Sequence, residues 1–173
     1  MLLLLRGDRL RPARLVRAGL VFWLATLLSC LGVARAADGE LIERELQPLA
    51  YADARTALLD AFVEEGLAPP AVSQFGEMLA RTARDLGHRA DFYDQAEIFS
   101  FCSAQVSGRM VAEDVRHIAL CPMTIALYTL PGRPRTVFLV SRPPALQTPG
   151  GEFARALLRR IVERVLDNAG LRR

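Results

Sequence analysis

The stretch from Ala96 to Tyr128 constrains this chain more than any other. It holds two apolar, strand-like runs, Ala-Glu-Ile-Phe-Ser-Phe-Cys-Ser-Ala and Leu-Cys-Pro-Met-Thr-Ile-Ala-Leu-Tyr. Cys102 closes the first run and Cys121 opens the second. If the runs lie antiparallel in one sheet, the end of one and the start of the other share an edge, and the two cysteines fall within the ~7 Å between Cα atoms that a disulfide spans. Alternation with a period of two places Ile98, Ser100 and Cys102 on one face and Glu97, Phe99 and Phe101 on the other. The aromatic pair claims the core, which leaves Cys102 on the less buried side or at the rim. Ser103 is placed to cap a short helix running through Met110 or Val111.

The first 36 residues read as an export signal. Arginines up to Arg17 form a basic segment, Ala18 to Ala34 carries no charge, and Ala34-Arg35-Ala36 supplies small residues at the positions before a cleavage site. The uncharged run is shorter than the ~20 residues that cross a bilayer comfortably. Leu27-Leu28-Ser29-Cys30 gives a lipid anchor through Cys30 as the alternative, although the residues after Cys30 are apolar where a tether is usually polar. Either route exports residues 37–173 as a single domain, periplasmic or secreted.

Charge excludes some functions. The formal charge of +3 is carried by the leader, since six of the 22 basic residues and one of the 19 acidic residues precede Ala37. The remaining 16 basic and 18 acidic residues give a net of −2. A near-neutral domain with dispersed arginines offers no footprint for nucleic acid. All 22 basic residues are Arg, so Schiff-base chemistry and a lysine general base are excluded.

Leu41 to Leu46 reads as a strand. Asp53 is placed to cap a helix to about Glu65, with Leu58, Phe62, Leu59 and Val63 as its apolar stripe and Asp53, Arg55, Asp60, Glu64 and Glu65 as its solvated charges. Ala71 to Phe75 is expected as a short edge strand. Glu77 to Leu86 follows as a helix with Met78, Leu79, Thr82 and Leu86 inward, Arg81 and Asp85 placed to pair, and His88 in a solvated loop. Met123 to Thr129 and Thr136 to Val140 form a hairpin around Leu130-Pro-Gly-Arg-Pro134. A last helix runs from Glu152 to Asn168, with Phe153, Leu157, Ile161 and Val165 four apart facing a sheet. Strands grouped with a helix near each end give an α+β domain, a mostly antiparallel sheet with helices packed on one face.

Phe101-Cys102-Ser103-Ala104, Cys121-Pro122 and Ile125-Ala126-Leu127-Tyr128, in this order and spacing, resemble the bacterial domain-of-unknown-function family 302. Met78-Leu79-Ala80-Arg81-Thr82 with Asp85-Leu86-Gly87 is similar to an exported proteobacterial branch of it. The likeness runs from about Leu41 to Pro144. It implies a TBP-like sheet-and-helix fold of order β-α-β-β-β-β-α and lends no activity. Ser141 and Pro143 stand where the family pattern places a second basic or aromatic residue beside Arg142.

Four readings of Cys102 and Cys121 stay open at this point. They are two inert buried thiols, a structural disulfide, a working thiol pair with Cys102 beside the helix that Ser103 starts, or a metal site completed by His117, with His88 as a further candidate ligand. Glu113-Asp114 reads as a solvated pair after a short helix. No nucleotide, hydrolase or metalloprotease motif occurs, and no cofactor is implied. The reading that follows is a non-enzymatic binding or interaction domain of the cell envelope, with its groove between the sheet and the final helix. A thiol-disulfide redox or metal-handling protein is the alternative. The expected partner is a small ligand or an envelope protein, with a second copy of the chain as a further candidate. The membrane enters only through the export segment. N-terminal sequencing of protein recovered from cells should begin at Ala37; a lipidated Cys30 or an intact Met1 would contradict cleavage.

Overall fold

The computed structural model describes residues 41–172. The expected export segment, the cleavage expected after Ala36, and Cys30 lie outside the described residues. Within the domain, strand β1 (Ile42–Leu46) is followed by helix α1 (Tyr51–Glu64), β2 (Ala71–Ser73), α2 (Phe75–Thr82), β3 (Gln95–Phe101) and α3 (Ala104–Glu113). A 3-10 turn (Val115–Leu120), the hairpin β4 (Met123–Thr129) and β5 (Val137–Ser141), and α4 (Pro149–Asn168) complete the domain. All strand pairs are antiparallel and the sheet order is β1-β5-β4-β3-β2. The expected α+β class and the neighbouring of β3, β4 and β5 hold. The element order differs from the one the resemblance implies, because α2 and α3 are inserted on either side of β3.

Period-two alternation builds the core. Phe99 and Phe101 of β3 are buried together with Met123, Ile125 and Leu127 of β4, Val137 and Leu139 of β5, and Leu46 of β1. Against this face pack Leu58 and Phe62 of α1, Val106 and Met110 of α3, and Leu157, Leu158, Ile161, Val162 and Val165 of α4. Ala54, Ala57 and Ala61 of α1 and Ala154 of α4 are buried as well, and such small side chains permit close approach of the two helices. Phe62 meets Phe101 edge to face at 4.8 Å, which ties α1 to the end of β3.

The long closing helix starts where its sequence demands. Thr148 caps it by accepting from the Gly151 amide at 3.2 Å, and Pro149 occupies the first turn, where its missing N–H costs nothing. Gly151 is required for space, since a side chain there would strike the backbone of Leu146. Gly170, at φ +67°, ends the helix in the left-handed conformation.

Several expectations are corrected. Asp53 lies inside the first turn of α1 and does not cap it; Ala50 occupies the cap with no side-chain bond. Val63 is 72% exposed, because α1 turns only the Leu58 and Phe62 side to the core. Phe75 opens a helix where a strand was expected. Met78 and Leu86 are exposed, since α2 is short and turns Phe75, Leu79 and Ala83 inward. The place of α2 follows from Gly76: a Cβ there would lie 3.0 Å from the Ala96 amide nitrogen, so this helix lies against the backbone of β3 beyond the three residues of β2. An edge that β2 is too short to pair is thereby covered. Arg81 and Asp85 form no ion pair among the described residues. Phe153 is half-buried beneath the Arg109 guanidinium, 3.7 Å from its ring centre, while Leu157, Ile161 and Val165 are buried as expected.

Candidate functional site

At the corner where β3 ends, Cys102 and Cys121 stand at disulfide-bonding distance with Cα atoms 5.9 Å apart. Cys102 is exposed and Cys121 half-buried, which places the pair at the rim and removes the reading of two inert core thiols. Ser103 caps α3, its hydroxyl accepting from the Val106 amide at 3.4 Å. The Ser107 hydroxyl donates to the Cys121 sulfur at 3.4 Å. His117 does not turn to the cysteines as a ligand. Its Nδ1 lies 2.9 Å from the Met110 carbonyl, a contact in which the ring nitrogen donates. Among the described residues no three His, Cys, Asp or Glu side chains are gathered as a metal would need. His88 is exposed in its loop. A cleft of about 400 Å³ opens beside Cys102, lined by Leu67, Gln105, Phe153, Leu157 and Arg160 among others.

Glu113 is exposed, as expected of a solvated residue, and Asp114 half-buried, but both carboxylates are engaged. Glu113 accepts from the Gly150 amide at 2.6 Å, tying the end of α3 to the start of α4. Hydrogen bonds from Thr148 and that amide hold its carboxyl below the ordinary carboxylate range. Asp114 accepts from the Arg116 side chain and amide, which lower it likewise, and it caps the 3-10 turn. Glu65, expected in solvent, is packed between helices. Burial alone would raise its pKa, but hydrogen bonds and charge from Arg164 and Arg160 outweigh that and hold it low.

A second cluster was missed. Glu97 faces the core from β3 and is only 7% exposed. A carboxylate removed from water needs charge and hydrogen bonds in return. Arg55 Nε and the Tyr51 hydroxyl each donate to Oε2 at 2.9 Å, and Gln74 donates to Oε1 at 2.7 Å. Tyr51 and Arg55 reach one carboxylate because they lie four apart on α1, one helical turn. Burial, then the bond to Glu97 and its charge, push the Tyr51 hydroxyl well above its ordinary value. The signal was legible: Glu97 shares the parity of Phe99 and Phe101, and a core-facing acid in β3 demands donors from the covering helix.

The third feature lies on the other side of the sheet. Register aligns Glu43 of β1 with Val140, Ala126 and Ile98, and Glu45 with Phe138, Tyr128 and Ala96. Phe138, Tyr128, Tyr93 and Phe75 form a row with successive ring centres 4.9, 5.3 and 6.3 Å apart. Above it runs a cavity of about 620 Å³ whose walls include Leu41, Glu43, Tyr93, Ile98, Tyr128 and Val140. Tyr93 and Ala96 also line a smaller cavity of about 400 Å³ at the Glu97 cluster. Burial, followed by the charge of Glu43, neighbouring Tyr93 and the charge of Glu45, raises the Tyr128 hydroxyl. The groove expected between sheet and final helix is instead filled by the core; the aromatic groove is on the opposite face.

The sequence matches no protein-family model and no curated protein. Its fold is similar to one already solved, that of an uncharacterized protein. That structure is the crystal structure of the uncharacterized conserved protein DUF302 from Bacillus stearothermophilus, with a TM-score of 0.57, 17% identity, and coverage of 75% of this chain and 97% of that chain. At that identity the likeness establishes a DUF302-like fold. Among the described residues no helix is long and apolar enough to cross a membrane.

Replacing Glu97 by Ala strips three donors of their acceptor. Arg55 is 38% exposed and regains water, so urea unfolding should show a loss of about 2 kcal/mol, with Glu97→Gln costing less. A loss under ~0.5 kcal/mol for Glu97→Ala, the range of an ordinary surface change, would contradict a supporting role for the cluster.

Proposed function

We propose that this is an exported, non-enzymatic binding domain of the cell envelope, of the exported DUF302-like kind, and that its ligand lies on the open face of the sheet. One observation carries the reading: the 620 Å³ groove floored by Tyr93, Tyr128 and Ile98. Ligand sites are concave, largely apolar and furnished with few polar groups, and volumes of about 300–1,000 Å³ are typical. Export is supported by the leader's basic and uncharged segments and by a cysteine pair suited to an oxidising compartment. The Glu97 cluster supports the groove from beneath as structure, since each of its acceptors is occupied.

Nile red, a neutral apolar dye, should bind the full chain saturably at one site per molecule. Tyr128→Asp should abolish that binding without changing far-UV circular dichroism. Unsaturable binding, or binding unchanged by Tyr128→Asp, would overturn the assignment of this face.

A second reading, thiol–disulfide exchange, is favoured by the exposure of Cys102 beside both the α3 N-terminus and the 400 Å³ cleft. In it, a thiolate of a dithiol partner protein attacks the Cys102 sulfur, the Cys102–Cys121 bond breaks, the Cys121 thiolate leaves and a mixed disulfide forms. The partner's second thiol then attacks that bond, releasing Cys102 as the thiolate, so that the partner is oxidised to a disulfide as this one is reduced. Equilibration with glutathione buffers decides between the readings. A potential near −200 mV supports exchange, whereas one below about −300 mV marks a structural disulfide. The binding reading expects the latter, with a stabilisation of about 3 kcal/mol from closing the loop.

A further inference from the structure

We infer that the ligand of the open face is a flat organic cation, a conclusion that rests on the binding reading above and gives that site its chemistry. The outward rings already attract cations where the chain supplies them. The Arg133 guanidinium lies 4.9 Å from the centre of Phe138 and that of Arg89 lies 4.8 Å from Phe92. The negative face of an aromatic ring holds a cation in this way. Tyr93 and Tyr128, in the groove itself, have no such cation over them among the described residues.

The carboxylates point the same way. Glu45 is engaged by Arg133, with both oxygens at 3.3 Å, and Gln47 also donates to it. Glu43, one register step along the same face, lines the groove and has no ion-pair partner among the described residues. Arg89 also lines the groove, but it is turned to Phe92 and Asp91. The groove therefore combines two phenol rings that carry no cation, one of them stacked on Phe138, with one carboxylate that has no ion-pair partner among the described residues. A cation carried on an aromatic ring satisfies both, whereas an anion would meet Glu43 and the negative ring faces. Burial first, and then the nearby charges of Glu43 and Glu45, raises the Tyr128 hydroxyl.

The test compares two dyes on the full chain by equilibrium fluorescence titration: thioflavin T, a flat aromatic cation, and anilinonaphthalene sulfonate, an aromatic anion. The cation should bind at least about tenfold more tightly, as a desolvated cation–π contact with a nearby carboxylate warrants. Glu43→Gln, at an exposed strand position, should cut that preference to about twofold or less. Equal affinity for both dyes, or a preference that survives Glu43→Gln, would overturn the cation assignment and leave the groove standing. Failure of Nile red as well would remove the groove itself. Sedimentation velocity closes the remaining route: a dimer that dissociates on dye binding would show that a second copy occupies this face, and would also overturn the proposal.

Discussion

The organising constraint is that helices α1, α3 and α4 pack on one side of a five-stranded sheet. Period-two alternation then assigns each strand residue to one of two very different environments. Phe99, Ile125 and Leu139 face a closed core, while Ala96, Tyr128 and Phe138 face outward from neighbouring positions. A slip of one residue in β4 would send Ile125 and Leu127 to the open face and put Tyr128 in the core. The same alternation fixes both the stability of the domain and the chemistry of its exposed surface.

The open face is shaped by how the edges are finished. At one edge, β2 pairs only Ala71 to Ser73 with β3, and α2 takes over beside Ala96. That brings Phe75 into contact with Tyr93 and extends the aromatic row past the last strand. At the other edge, β1 carries Glu43 and Glu45 outward, which guards against strand addition and gives the groove its acidic end. The cysteine pair, by contrast, sits at the end of β3 beside α3. It closes the connection between β3 and β4, and the open face contributes no residue to it.

Much of the fold was legible because local chemistry and tertiary packing agree. β4 occupies Met123–Thr129 as its β-branched and aromatic residues indicated, and Ser103 caps α3. The approach of Cys102 to Cys121 followed from pairing the two runs antiparallel. The failures come from positions where a helix is judged without its neighbours. Asp53 looks like a cap, but the chain enters α1 from Ala50, and the first turn presents Tyr51 and then Arg55 to Glu97. Met78 and Leu86 look inward by spacing alone, yet α2 buries little because it covers an edge and not a face. The open-face groove was not legible for a related reason. Tyr93, Tyr128 and Phe138 come from a loop and two strands, and only the register brings them into one row.

We propose that the open face, and not the cysteine corner or the helix side, is where this protein meets a ligand. Amide chemical-shift mapping by NMR during titration with benzyltrimethylammonium tests it most directly. The largest shifts should cluster at Leu41 to Glu45, Tyr93 to Ile98, Ala126 to Tyr128 and Val140. Shifts concentrated at Cys102 to Ser107 and along α4, with the aromatic row unmoved, would contradict it.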